Sequence, residues 1–174
     1  MTYGQGANAF AQMYHMPKSE AQDYINNWWT EFSTLKDWVV ETQERALELG
    51  YARSPFGHKR RFSLVTDDNI GDVNREAVSS ICQNVAAWLT IMALCELVDR
   101  GITVVATVHD SIVADVPMDS AMEVARLMKE VMERQAIEQL GWAVDDIPFL
   151  ADISIGKNWG ELEEVDFTKE ELAA

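Results

Sequence analysis

The stretch Val104-Val105-Ala106-Thr107-Val108-His109-Asp110-Ser111-Ile112-Val113-Ala114-Asp115-Val116 constrains this chain more than any other. Two β-prone runs meet at a His-Asp pair, with neither Pro nor Gly between them. The β-branched content and the alternation after Asp110 predict a tight antiparallel hairpin. A carboxylate at such a bend is exposed and rigidly held among apolar neighbours, which suits a metal ligand presented to a phosphate. Asp also favours turns because it bonds its own backbone. From this stretch alone, turn residue and metal ligand both remain open.

The length of 174 residues fits one domain or a large fragment of one. Apolar residues make up 48%, enough for a core. A net charge of -15 argues against nucleic-acid affinity spread over the whole surface. Between Tyr51 and Arg75, however, Arg53, Lys59, Arg60, Arg61 and Arg75 outnumber Asp67, Asp68 and Asp72. This basic edge suits phosphate at one face, and it equally suits an ordinary solvated surface. No apolar run of membrane-spanning length is expected, and the N-terminus lacks a secretory pattern. Cys82 and Cys95 fall in one predicted helix, roughly 20 Å apart, which is too far for a disulfide.

Short helix signals cover Ala7 to Tyr14, with Asn8 as a candidate cap. Ser19, with Gln22 three residues on, is the expected N-cap of a long amphipathic helix that Gly50 ends. A break near Ser33-Thr34 leaves one bent helix or two helices open. Residues 50 to 62 read as two short strands around a Pro/Gly turn, and Thr66 to Asp72 as a polar loop. Val73 to Arg100 predicts a second long helix, apolar nearly all round in its middle and therefore central. A helix from about Asp119 to Leu140 and a final strand, Phe149 to Ile155, follow the His-Asp hairpin. The order predicts an α+β fold, with helices packed on an antiparallel sheet. Trp28 and Trp29 are adjacent and cannot both face one core, so one is a candidate exposed anchor.

An ordered set of motifs resembles the C-terminal part of a family A DNA polymerase. Tyr3-Gly4 resembles the end of the fingers helix. Gly50-Tyr51, then Phe56-Gly57 and the basic cluster, resemble a Gly-Tyr…Phe-Gly-Arg-Arg-Arg segment. Asn74-Arg75-Glu76-Ala77 with Gln83 resembles Glu-Arg-Ala-Ala…Gln. Val108-His109-Asp110 resembles motif C, Val-His-Asp-Glu, and Gly156-Lys157-Asn158-Trp159 the terminal Gly-x-Asn-Trp. The set covers about residues 2 to 162. Departures accompany it. Motif A (Asp-Tyr-Ser-Gln-Ile-Glu) is absent, Ser111 replaces the motif C glutamate, and Ser79 stands where Asn is usual. Asp23-Tyr24-Ile25-Asn26 is a superficial echo of motif A on the wrong side of Tyr3.

The resemblance implies helical fingers over residues 1–50, a palm over 51–160 and an acidic tail over 161–174. It implies a palm sheet made of the His-Asp hairpin plus the C-terminal strand, packed against long helices. It implies Asp110 as catalytic residue and metal ligand in a two-metal Mg2+ site completed by a partner chain. Nucleotidyl transfer needs two cations about 3.5–4 Å apart, and no second carboxylate here is convincing. Asp115 lies five residues along the same strand and should face the other way. Tyr3, Arg53, Lys59, Arg60, Arg61, Arg75, Gln83 and His109 are the implied DNA contacts. Arg75 and Gln83 share one helix face, and the basic turn would hold phosphates without reading sequence.

The implied partners are primer-template DNA, a dNTP and an N-terminal polymerase fragment carrying motif A, with no membrane. Met1 just before Tyr3 is expected to reflect a split gene or a truncation, in the cytoplasm of a bacterium or phage-infected host. The chain alone is expected to be inactive. A palm-derived DNA-binding or assembly module without catalysis is the alternative, and Ser111 and the missing motif A favour it slightly.

Overall fold

The computed structural model describes residues 6–135, 138, 140–141 and 148–167. Their helices and strands form two compact units, residues 1–85 and 86–174, with the boundary inside one long helix.

In the first unit, α1 (Ala7–Tyr14) and α2 (Lys18–Glu31) bury Ala7, Ala21 and Ile25 against each other, with Phe10, Met16 and Trp29 packed around them. Neither expected cap holds. Gly6 caps α1 and its carbonyl accepts from Phe10 N–H at 3.1 Å, so Asn8 lies inside the helix. Pro17 precedes α2, and its carbonyl accepts from Ala21 N–H at 3.0 Å. Ser19 is thus the second residue of the helix rather than its cap.

The long amphipathic pattern resolves into two helices. At Phe32 (φ −100°, ψ 50°) the backbone leaves helical geometry, ending α2 and opening α3 (Ser33–Leu49). Trp29 joins the buried cluster, while Trp28 stacks edge-on against it at 4.6 Å and lies 5.0 Å from Phe32. Gly50 stops α3 in the left-handed conformation (φ 72°), which favours glycine.

Strands β1 (Tyr51–Arg53) and β2 (Lys59–Arg61) pair antiparallel, with Ala52 opposite Arg60. Ala52 is buried with Ala46 and Ala77, with Phe62 and Ile81 beside them. The helix α4 spans Ile70–Asp99. It starts three residues before the expected Val73. Asn69 ties the preceding turn by accepting from Thr66 N–H at 2.8 Å and donating to the Leu64 carbonyl at 2.9 Å. Ile70 N–H then bonds the Thr66 carbonyl at 3.0 Å, so the polar loop winds directly into the helix.

In the second unit, α4 ends before Gly101 (φ 82°). Strands β3 (Val104–Val108) and β4 (Ser111–Ala114) form a hairpin whose register pairs Val108 with Ser111. A 3-10 turn (Met118–Ser120) leads into α5 (Ala121–Glu130), which widens into a π-turn over Val131–Gln135. One cluster buries Ala93 and Leu97 of α4, Ile112 of β4 and Val131, with Ile102, Val104 and Leu127 around it.

Two expectations are corrected. The final strand is only β5 (Ser154–Ile155), and it pairs with β6 (Glu163–Glu164) rather than with the His-Asp hairpin. The described sheets are therefore three separate two-stranded ribbons. Ala151 explains the shortened strand. Its N–H donates to Glu133 Oε1 at 2.9 Å and its carbonyl accepts from Lys129 Nζ at 2.8 Å, so side chains take the groups a ladder would need. A short loop joins β5 to β6, so its closure costs little entropy. The second correction concerns α4, which is long and apolar enough by composition to cross a membrane. Ser79, Ser80, Gln83 and Asn84 interrupt its apolar pattern without adding charge between Glu76 and Glu96. Core helices pass the same test, so this property alone assigns no membrane.

Candidate functional site

The His-Asp hairpin turns in two residues, and the backbone shows how. His109 adopts a left-handed φ of 56°, unusual for a residue with a side chain. Two-residue hairpin turns favour positive φ because it matches strand twist. His109 and Asp110 are both exposed at this tip. Ser111 donates its hydroxyl to the Val108 carbonyl at 2.8 Å and so closes the turn. Ile112 on the next position is buried, which anchors the ribbon to α4 and the π-turn. The result is a carboxylate on a short, anchored support. Asp115 is exposed, and its N–H donates to the Thr103 carbonyl at 2.9 Å, continuing the ribbon by one more bond. Among the described residues no three His, Cys, Asp or Glu side chains form a group able to hold a metal ion. Asp110 is thus one exposed oxygen donor, compatible with half of a metal site.

The basic residues belong to the first unit. Arg53, Lys59, Arg60 and Arg61 sit on the β1–β2 hairpin and all are exposed. The Lys59 ammonium lies 4.3 Å from the centroid of the Tyr51 ring. The Arg53 guanidinium packs beside Gly57 in the turn. Arg60 Nε donates to Glu76 at 2.9 Å, which fastens the hairpin to α4. Arg75 and Gln83 are exposed on the same helix, and Arg75 pairs with Asp72. Ser79 turns its hydroxyl to the Glu76 carbonyl at 3.4 Å. His15 and His58 are exposed, as expected of surface residues. Tyr3 lies outside the described residues.

Two partners of these cations were missed in the sequence. Asp72 stands three residues before Arg75, a helix spacing that signals a pair. Glu76 meets Arg60 only through the fold, and no local spacing announces it. Both pairs are solvent-exposed and exchangeable, so they leave the cations available for phosphate. The side-chain oxygens of Asn74 and Asn84, on α4 near Arg75 and Gln83, are buried without a hydrogen-bond partner.

Cys82 and Cys95 are free thiols on α4, as their spacing requires. Burial pushes the Cys82 thiol above its usual range.

Comparison with known proteins gives a consistent result. The DNA polymerase family A model matches residues 1–161. The chain is 30% identical over 165 residues to the thermostable DNA polymerase I of Thermus aquaticus, covering 90% of this chain and 19% of that one. It is 26% identical over 156 residues to the DNA polymerase of Bacillus phage SP01, covering 84% and 17%. The chain therefore spans about a fifth of the length of the curated relatives it matches. Its fold is similar to the polymerase domain of Pol1 from M. smegmatis, solved with DNA primer-template and dNTP. That likeness has a TM-score of 0.66 at 21% identity and covers 76% of this chain and 25% of that one. Mixed helices and small antiparallel ribbons are thus the architecture of part of a polymerase domain. The match over nearly the whole length makes this chain a member of DNA polymerase family A.

Proposed function

We propose that this chain is the C-terminal portion of a DNA-directed DNA polymerase and supplies the motif C half of its nucleotidyl-transfer site. The observation that carries this reading is Asp110, exposed at the tip of a two-residue hairpin in a Val-His-Asp sequence. Residues 1–50 act as the helical part of the fingers, 51–160 as palm, and 161–174 as an acidic tail. Asp110 is the residue of this chain that would hold a divalent cation. Its hard oxygen suits Mg2+. A pair of such ions would activate the primer 3′-hydroxyl and steady the triphosphate. The second carboxylate must come from motif A, which these residues do not contain. It belongs to a preceding polymerase segment, in the same polypeptide or in a separate one.

The remaining roles follow from position. His109, beside Asp110, contacts the primer end. Arg75 and Gln83 line one stretch of α4, where Gln serves as both donor and acceptor to the minor groove. Arg53, Lys59, Arg60 and Arg61 hold backbone phosphates, giving affinity without sequence preference. Tyr3 closes the insertion site.

Primer extension tests the reading. The chain is combined with the motif-A-bearing segment, and Asp110→Ala is compared with the native sequence. Losing a metal ligand removes several kcal/mol of transition-state stabilisation, so the rate should fall about 10³-fold. An unchanged rate removes Asp110 from the site. DNA binding without any extension by the completed pair would favour a non-catalytic binding module, the reading to which Ser111 in place of glutamate points. Extension by the 174 residues alone would contradict the need for motif A.

A further inference from the structure

The half of α4 within the second unit carries apolar residues on two sides. Ala93 and Leu97 are buried with Ile112 and Val131. Trp88, Ile91, Cys95 and Val98 recur at intervals of three, four and three, which places them together on the side of the helix away from Ala93 and Leu97. Ile91 is 45% exposed, Val98 52%, and Cys95 is exposed too. Spacing of this kind makes the seam of a packed helix pair. Ile91, Cys95 and Val98 therefore present exposed surface along one line of the helix, while most of their apolar neighbours on α4 are half-buried. The chain also covers only 25% of the solved polymerase domain that it resembles. Three quarters of such a domain therefore lies beyond what this segment provides.

We infer that the stripe Trp88, Ile91, Cys95, Val98 is the seam on which an apolar-faced helix from the rest of the polymerase domain packs. The inference rests on the family A reading, and it adds where that remainder docks. A bilayer fits less well. Glu96 and Asp99 lie within the same turns of the helix, and Glu96 pairs with Arg100 at 2.8 Å on the surface. Charges so close to the seam are costly in hydrocarbon and harmless at the rim of a protein interface.

Cys95 is a built-in reporter. Its alkylation rate is measured in the 174-residue chain alone and after co-expression with the motif-A-bearing remainder of the polymerase. Half-buried Cys82 serves as the internal reference. Docking should slow Cys95 at least tenfold relative to Cys82. The double substitution Ile91→Lys and Val98→Lys should lower recovery of the complex at least tenfold while leaving the circular dichroism of the isolated chain unchanged. Equal Cys95 rates with and without the remainder overturn the inference. So does a complex that forms normally with both lysines. Protection by phosphatidylcholine vesicles, or protection that grows with the concentration of the chain alone, overturns it in favour of a bilayer or a second copy when the remainder adds nothing further. Failure here leaves the Asp110→Ala result intact, and failure of Asp110→Ala leaves the Cys95 footprint intact, so the two claims fall separately.

Discussion

At the residue scale, His109 separates what the hairpin needs from what its side chain does. A left-handed φ is strained for a side chain bearing a branched Cβ. His109→Val should therefore destabilise the chain by about 1–2 kcal/mol relative to His109→Gly, read from urea midpoints. His109→Gly should leave stability near native while weakening primer-template binding. Equal midpoints for Val and Gly would mean that the turn does not hold this conformation. Gly156 is constrained differently. A Cβ there would collide with the Glu161 carbonyl oxygen, a fixed backbone atom. Gly156→Ala should cost about 1–3 kcal/mol in thermal or chemical denaturation. The sequence exposed the identity of these residues and the bend at His109-Asp110. It could not expose the close approach at Gly156, because that contact exists only once β6 has returned beside β5.

Elements were legible where punctuation is local. Gly50 and Gly101 end their helices, and the β1–β2 and β3–β4 ribbons lie where alternation and turn residues put them. Pro17 rather than Ser19 stands at the N-cap of α2, where its carbonyl takes the Ala21 N–H. The last strand failed for a tertiary reason. Lys129 and Glu133 hold Ala151 by its own backbone groups, and period-two patterning carries no trace of that competition. Glu133 is also paired with Lys129. A double-mutant cycle with Lys129→Ala and Glu133→Ala should return a coupling of about 0.5–3 kcal/mol, as expected for contacting members of one network. A coupling of zero would show that the two side chains grip Ala151 independently.

For the whole molecule, the charge imbalance sets the conditions under which the proposed DNA contact would form. A net charge of -15 disfavours non-specific contact with a duplex, and the cations cluster locally on β1, β2 and the start of α4. Binding of primer-template by the completed polymerase should weaken linearly on a log–log plot as salt rises. Arg61→Ala should lower the magnitude of that slope by about one if Arg61 neutralises a phosphate. An unchanged slope would return Arg61 to the solvated surface. The family and the helical order were readable because the motifs survive in sequence. The pairing of Arg60 with Glu76 was not, since it joins residues from separate elements.

Strand-like segments that keep free backbone donors and acceptors can recruit one another between molecules and drive precipitation. The grip on Ala151 caps both of its groups internally. At that position the protein presents no template for a foreign strand. Variants that release this grip should clump on heating before they lose helical signal.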